Sequence, residues 1–315
     1  MQEQTISWQG SIRNKRVCIM GKHLNLITRV VVLGFSLVII FFSSPWAKEP
    51  LKVSVSILPQ GYFVEKIGGE LLDVSVMVRP GTSPHIYEPK PQQMVELTKS
   101  RIYFAIGVPF ERVWLDRFAR ANPKMILVNT QEGIEKIPME TPHFQTGDRH
   151  FEGTKDPHVW LSPPLVMIQA RNILNTLLRV DPSHRKVYET NYGNFMKEIV
   201  DLDLRLLNIF MNQRESTRFM VYHPSWGYFA KAYGLTQIPV EVEGKEPRPN
   251  ELKEIIQRSR NLNVKVIFVQ PQFSTKSAKT VADAIGCQIM FADPLEMAWS
   301  KNLLNVGEGF KAALR

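Results

Sequence analysis

DPSHRKVYETNYGNFMKEIVDLDLRLLNIFMNQ, residues 181–213, reads as one helix of about thirty residues. Asp181 can cap it, and Pro182 sits at the first position, where a missing amide hydrogen removes no helical bond. Apolar residues recur at Val187, Phe195, Ile199, Leu202, Leu206 and Ile209, which lays a stripe along one face. Gly193 is the weak point within the stretch. Helices in globular domains usually run to about 20 residues or fewer. One this long is expected to join two bodies rather than to belong to either.

Outward from that helix, short β-rich runs alternate with amphipathic stretches. On the N-terminal side, residues 51–58, 73–78, 101–107 and 124–129 are expected as strands, and 62–69, 91–100, 110–121 and 163–178 as helices. On the C-terminal side the strands are expected at 218–223, 236–242, 264–270 and 287–293, with helices at 226–234, 250–261 and 275–286. Strands separated by helices of about ten residues indicate βαβ units and parallel sheets. The fold class is therefore α/β: two (β/α) lobes with parallel sheets, joined by one long rigid backbone helix. The expected division is an N-terminal lobe at 48–180, the linking helix at 181–213 and a C-terminal lobe at 214–315. Residues 130–157 are polar, rich in turn formers and without period, so they read as a long loop.

The first fifty residues differ from the rest. Arg13, Lys15, Arg16, Lys22 and Arg29 precede the apolar run VVVLGFSLVIIFF at 30–42. Its 13 residues suit the core of a signal peptide and fall short of the roughly 20 that span a bilayer. Residues 1–47 are thus expected to be a signal peptide, with Ala47 as the last residue before cleavage and Met20 as an alternative start. Taking that segment's five Lys+Arg and one Glu from the 39 basic and 30 acidic residues leaves 34 against 29, a net of +5. These charges are spread out, with no dense basic tract, so nucleic acid is excluded as a partner. Cys18 would be lost with the signal, leaving Cys287 without a disulfide partner, which is compatible with a bacterial periplasm.

Four residues with metal-binding side chains stand next to prolines. His85 follows Pro84 in TSPHIYEP (82–89), and His158 follows Pro157 in KDPHVWLSPP (155–164). His223 precedes Pro224 in VYHPSWGYF (221–229), and Asp293 precedes Pro294 in FADPLEMAW (291–299). Proline stiffens the backbone that carries each ligand. These positions fall just beyond expected strands or in loops leading to helices, and ligands of open α/β sheets bind beyond the carboxyl ends of strands. The two lobes are thus expected to deliver two residues each to a cleft between them. Neutral imidazole is a good donor to Zn2+, and one carboxylate can complete a tetrahedron. Spacing of this kind is not a local zinc motif. His184 reads as a hydrogen-bonded residue at the start of the long helix, His23 belongs to the leading segment, and His143 and His150 lie in the polar loop.

The motifs RPGTSPHIYEPKPQQ (79–93), DPHVWLSP (156–163), HPSWGYFAKAYGL (223–235) and FVQPQFSTKSAKTVADAIG (268–286) followed by DPL (293–295) resemble the zinc/manganese solute-binding proteins of ABC-type metal importers. The resemblance runs from about Leu51 to the C-terminus. It implies two (β/α) lobes bridged by a rigid helix, with a metal ion held in the interlobe cleft by His85, His158, His223 and Asp293. Manganese members of the family generally carry a glutamate at the position of His223. Imidazole suits Zn2+ and carboxylate suits Mn2+, so Zn2+ is the expected ligand and Mn2+ the lesser one. The chain departs from many zinc members in its short loop before His158 and in lacking a C-terminal disulfide. Gln270 stands where some members have a glutamate and is assigned no ligand role.

The resemblance implies a monomeric periplasmic protein that carries zinc to a permease and its ATPase at the inner membrane, by reversible coordination and without catalysis. Affinity is expected to fall below about pH 6.5, where free imidazole takes up a proton. Three other readings remain: a manganese carrier, an adhesin on the same fold, and a zinc hydrolase. The last needs a general base, and Glu241, Glu243 and Glu246 in VEVEGKEPRP (240–249) are the acidic cluster to consider, expected as a solvated loop.

Overall fold

The alternating pattern on the N-terminal side becomes a four-stranded parallel sheet in the computed structural model, which describes residues 49–140, 154–211, 217–242, 245–262, 264–273 and 275–313. The expected signal segment, together with His23, His143, His150 and Glu243, lies outside the described residues. In chain order the first lobe runs β1 (Leu51–Val55), α1 (Leu58–Gly68), β2 (Leu72–Val76), α2 (Pro91–Leu97), β3 (Ile102–Ala105), α3 (Glu111–Ala121) and β4 (Ile126–Asn129). The sheet order is β2-β1-β3-β4, all parallel. β1 ends earlier than its apolar run suggests, because Pro59 lies in the first turn of α1 and turns the chain into the helix.

Two helices then lead to the second lobe: α4 (Pro163–Val180) and the long α5 (Arg185–Phe210). The long helix is one continuous element of 26 residues, preceded by a single tight turn at Pro182–His184. It passes through Gly193 without a break. Its buried stripe is Tyr188, Phe195, Ile199, Leu202, Leu206 and Ile209. Val187, expected inside, faces out, and Tyr188 takes its place with its hydroxyl donating to Asp181 Oδ2 at 2.8 Å. The swap lets the polar tip of a buried ring find an acceptor, which valine could not use. Asp181 also receives the Ser183 hydroxyl at 2.8 Å and stands 2.6 Å from His184 Nδ1, in keeping with the reading of His184 as a hydrogen-bonded residue.

The second lobe repeats the winding of the first: β5 (Thr217–Val221), α6 (Gly227–Ala232), β6 (Leu235–Pro239), α7 (Pro249–Asn261), β7 (Val266–Val269), α8 (Lys276–Ile285) and β8 (Gln288–Phe291), then α9 (Trp299–Ala313). Its order is β6-β5-β7-β8, again all parallel. The inner strands β3 (IYFA) and β7 (VIFV) are buried throughout, as unbroken apolar runs in a covered sheet must be. The edge strands β4 and β8 leave residues such as Leu127 and Phe291 exposed. In both sheets the order reverses between the first and third strands, which opens a crevice at their carboxyl ends.

α9 was not among the expected elements, which end with the strand at 287–293. It carries Gly307 and Gly309 where neighbouring side chains come close. A Cβ on Gly307 would lie 2.6 Å from Leu206 Cδ2 of α5, and one on Gly309 would lie 2.6 Å from Met290 Cε. α9 therefore seats itself on the long helix, and its first residue, Trp299, packs edge-on against Phe63 of the N-terminal lobe with ring centroids 5.1 Å apart. One apolar core consequently runs from Val53 through Trp160 and Trp299 to Phe219 and Phe310. A second, smaller core lies on the other face of the C-terminal sheet, around Ile238, Ile267 and Val281.

Candidate metal centre

The loop after β2 carries His85. The Phe110 amide donates to the Pro84 carbonyl at 3.3 Å, and the Tyr87 ring packs on Phe110 with centroids 5.0 Å apart. Gln93 ties the far side of the loop, accepting from the Tyr87 hydroxyl at 2.6 Å and donating to the Met77 carbonyl at 2.7 Å. His158 lies on the segment that enters α4, where Asp156 through Ser162 are all buried. His223 leaves the end of β5, at the switch point of the C-terminal sheet.

These three histidines converge. The Nε2 atoms of His85 and His223 stand 3.1 Å apart, and one ligand nitrogen from each of the three lies within 4.8 Å of the others. Two nitrogens bound to one zinc at tetrahedral angles would be about 3.3 Å apart, so the spacing matches donors that share an ion. A cavity of about 20 Å³, lined in part by the three imidazoles, Trp160, Gln272 and Phe273, has room for one small ion or one water. Phe273 stacks on the His223 ring with centroids 5.0 Å apart.

Asp293, the fourth expected ligand, is not among the ligand atoms that lie within 4.8 Å of one another. Its Oδ1 accepts from Gln272 Nε2 at 2.8 Å and from the Leu295 amide at 2.9 Å, while its carbonyl accepts from Asn302. The neighbouring Pro294 and Leu295 line the cavity.

Two carboxylates set the tautomers of the buried histidines. Asp156 Oδ1 accepts both the backbone amide of His158 at 2.8 Å and its Nδ1 hydrogen at 2.7 Å. Glu241 Oε1 accepts from His223 Nδ1 at 2.7 Å. With Nδ1 protonated in each ring, Nε2 keeps its lone pair for a metal, and the carboxylate raises its basicity. Glu241 is only 4% exposed, which corrects the expectation of a solvated loop there: the carboxylate is buried as the partner of His223. Gln270 clamps the same residue by its backbone, accepting from the His223 amide at 3.2 Å and donating to its carbonyl at 2.6 Å. The Asp156 contact had a local signal, an acidic residue two positions before a histidine. Glu241 lies 18 residues from His223 and left none.

Burial, reinforced by the neighbouring imidazoles of His223 and His158, pushes His85 down to about 3. Burial also lowers His158, against the opposing pull of Asp156. Burial thus disfavours the charged form of both rings, so their competition with protons begins below the pH expected from free imidazole. In the unfolded chain each titrates near 6.5. As pH falls below that value the unfolded state takes up protons that the folded state refuses, so folding stability declines. The melting temperature of the metal-free protein should drop steadily from about pH 6.5 toward pH 4. His85→Asn should flatten that slope, and a melting temperature indifferent to pH over this range would contradict the assignment.

The architecture has known counterparts. Residues 53–304 match the model of the family described as zinc-uptake complex component A, periplasmic. The chain is 27% identical over 269 residues to the high-affinity zinc uptake system protein ZnuA of Bacillus subtilis, covering 83% of each chain. It is 26% identical over 252 residues to the manganese ABC transporter substrate-binding lipoprotein PsaA of Streptococcus pneumoniae, covering 76% of this chain and 78% of that one. A crystal structure of ZnuA superposes with a TM-score of 0.78 at 41% identity, covering 84% of this chain and all of the other. With that family model spanning both lobes and the helix between them, the chain belongs to the family of periplasmic zinc-uptake complex component A proteins.

Proposed function

We propose that this protein captures Zn2+ outside the cytoplasm through His85, His158 and His223 and hands it to the permease of an ABC-type importer driven by a cytoplasmic ATPase. The observation that carries the reading is the meeting of three imidazoles from two lobes, two of them held in the metal-binding tautomer by buried carboxylates. Three neutral nitrogens favour Zn2+ over Mn2+, whose preference is for carboxylate oxygen. Family membership supports the importer partners and the extracytoplasmic location. Export by a signal peptide at 1–47, a monomeric state and the division into lobes at 48–180 and 214–315 around the 181–213 linker complete the proposal. Reversible coordination without catalysis is supported by Glu241, since the carboxylate a hydrolase would want as a base is committed to His223 Nδ1.

The test is native mass spectrometry of metal-stripped protein offered equal Zn2+ and Mn2+. One tightly held zinc supports the reading, and retained manganese would reject it. Glu241→Gln is expected to weaken zinc binding about 10–100-fold, as loss of a histidine's carboxylate partner does elsewhere. Unchanged affinity in that variant would mean the His223 tautomer is set by something else.

A further inference from the structure

The turn QPQF at 270–273 leaves the end of β7 and sets the Phe273 ring against His223. The Phe273 amide donates to the Gln270 carbonyl at 3.2 Å, and the Gln270 side chain is the one that grips the His223 backbone. The turn is therefore fastened to the residue it covers. Phe273 stacks on the His223 ring with planes 24° from parallel, and it leans on the Tyr222 ring with centroids 5.5 Å apart. Four apolar residues help to wall the cavity of the three imidazoles: Trp160, Phe273, Pro294 and Leu295. Trp160, Pro294 and Leu295 are buried, and Phe273 alone of the four is half-buried. Its ring thus stands between solvent and His223, which is itself buried. The cavity, at about 20 Å³, holds one ion or one water and not both.

We propose that Phe273 is a specificity-determining residue: its ring roofs the cavity and keeps water out of the coordination sphere of the captured ion. The inference rests on the three-histidine zinc site proposed above, and it holds whichever residue gives the ion its remaining donor. Zn2+ imposes no geometry of its own and is satisfied by few donors. Mn2+ belongs with octahedral sets of oxygen donors, waters among them. An ion entering a roofed cavity must shed its waters, and imidazole nitrogens replace them for Zn2+ better than for Mn2+. An apolar ring offers an approaching water no hydrogen bond. Donor type already disfavours manganese, and the roof adds a second discrimination, by coordination number. Phe273 needs no bond to the ion to exert it.

The experiment loads Co2+ into metal-stripped protein, because tetrahedral Co2+ absorbs visible light far more strongly than Co2+ with added water ligands. Chelator competition gives the Zn2+ and Mn2+ affinities, and thermal melting checks that each variant folds. Phe273→Ala opens the roof, so its Co2+ absorption should fall about threefold and its preference for Zn2+ over Mn2+ about tenfold. Phe273→Leu keeps an apolar cover without the stacked ring and should hold both within about twofold of the parent. A folded Phe273→Ala with the parent's absorption and preference would overturn the proposal. So would Phe273→Leu matching Phe273→Ala, since the ring would then act by stacking on His223 rather than by covering the ion. Complete loss of zinc from a folded Phe273→Ala would overturn it too, by making the ring a support of the ligand. His223→Ala is the control: undiminished zinc binding there would sink the three-histidine reading itself, and this proposal with it.

Discussion

Replacing His223 with alanine is expected to raise the Zn2+ dissociation constant about 1,000-fold. Four-donor zinc sites bind with about 10–16 kcal/mol, or roughly 2.5–4 kcal/mol for each donor, and the upper figure of about 4 kcal/mol corresponds to a factor of ~1,000. The position is unusually exacting. His223 is 4% exposed, stacked on Phe273, clamped at its backbone by Gln270 and held at Nδ1 by Glu241. The substitution also leaves the buried Glu241 carboxylate without its imidazole, so the metal-free variant should melt below the parent. Chelator competition against the metal-stripped parent reads the effect directly. A variant that holds zinc within tenfold of the parent would show that His223 is not a ligand, and the manganese and adhesin readings would then move ahead.

Trp160→Ala should produce the second large effect, on stability and on the relation between the lobes. Trp160 is fully buried, and its indole Nε1 donates to the Pro294 carbonyl at 2.7 Å, across from the N-terminal lobe to the loop of Asp293. Its own carbonyl accepts from Trp299 Nε1, also at 2.7 Å. The two indoles therefore latch the lobes together beside His158, whose ring lies 5.1 Å from that of Trp160. Truncating a buried tryptophan costs about 3–5 kcal/mol, which for a protein of this size lowers the melting temperature by about 10 °C. Trp160→Phe keeps most of the ring but loses the bond to Pro294. It should release zinc faster than the parent while melting closer to it. A phenylalanine variant with the parent's release rate would reject the latch and leave the long helix α5 as the main restraint on opening. A rotation of tens of degrees between metal-free and metal-bound forms would contradict both restraints.

Much of the architecture was legible because its signals are periodic. The βα alternation located every strand of both sheets, and the stripe from Phe195 to Ile209 identified the bridging helix. Where the reading failed, a local rule met a tertiary demand. α9 was not expected, and its Gly307 and Gly309 let it approach Leu206 and Met290. Val187 fits an apolar stripe, but Tyr188 wins the inward place because Asp181 waits for its hydroxyl. The histidines stood out by residue type and by their prolines, and all three candidates with a ring meet in one cluster. Their supports were less visible. Glu241 sits in an acidic, glycine-containing loop that resembles a solvated one.

The order of residues thus determined which segments become strands and helices, and which side chains carry metal chemistry, because both depend on local periodicity and residue type. Tertiary structure decided the rest. It drew His85, His158 and His223 to one point across 138 residues of chain, buried Glu241 against one of them, and joined Asp293 to Gln272 by a hydrogen bond. Such choices depend on distances between groups far apart in sequence. They are settled by which polar atoms find partners once the two lobes have closed over a common core.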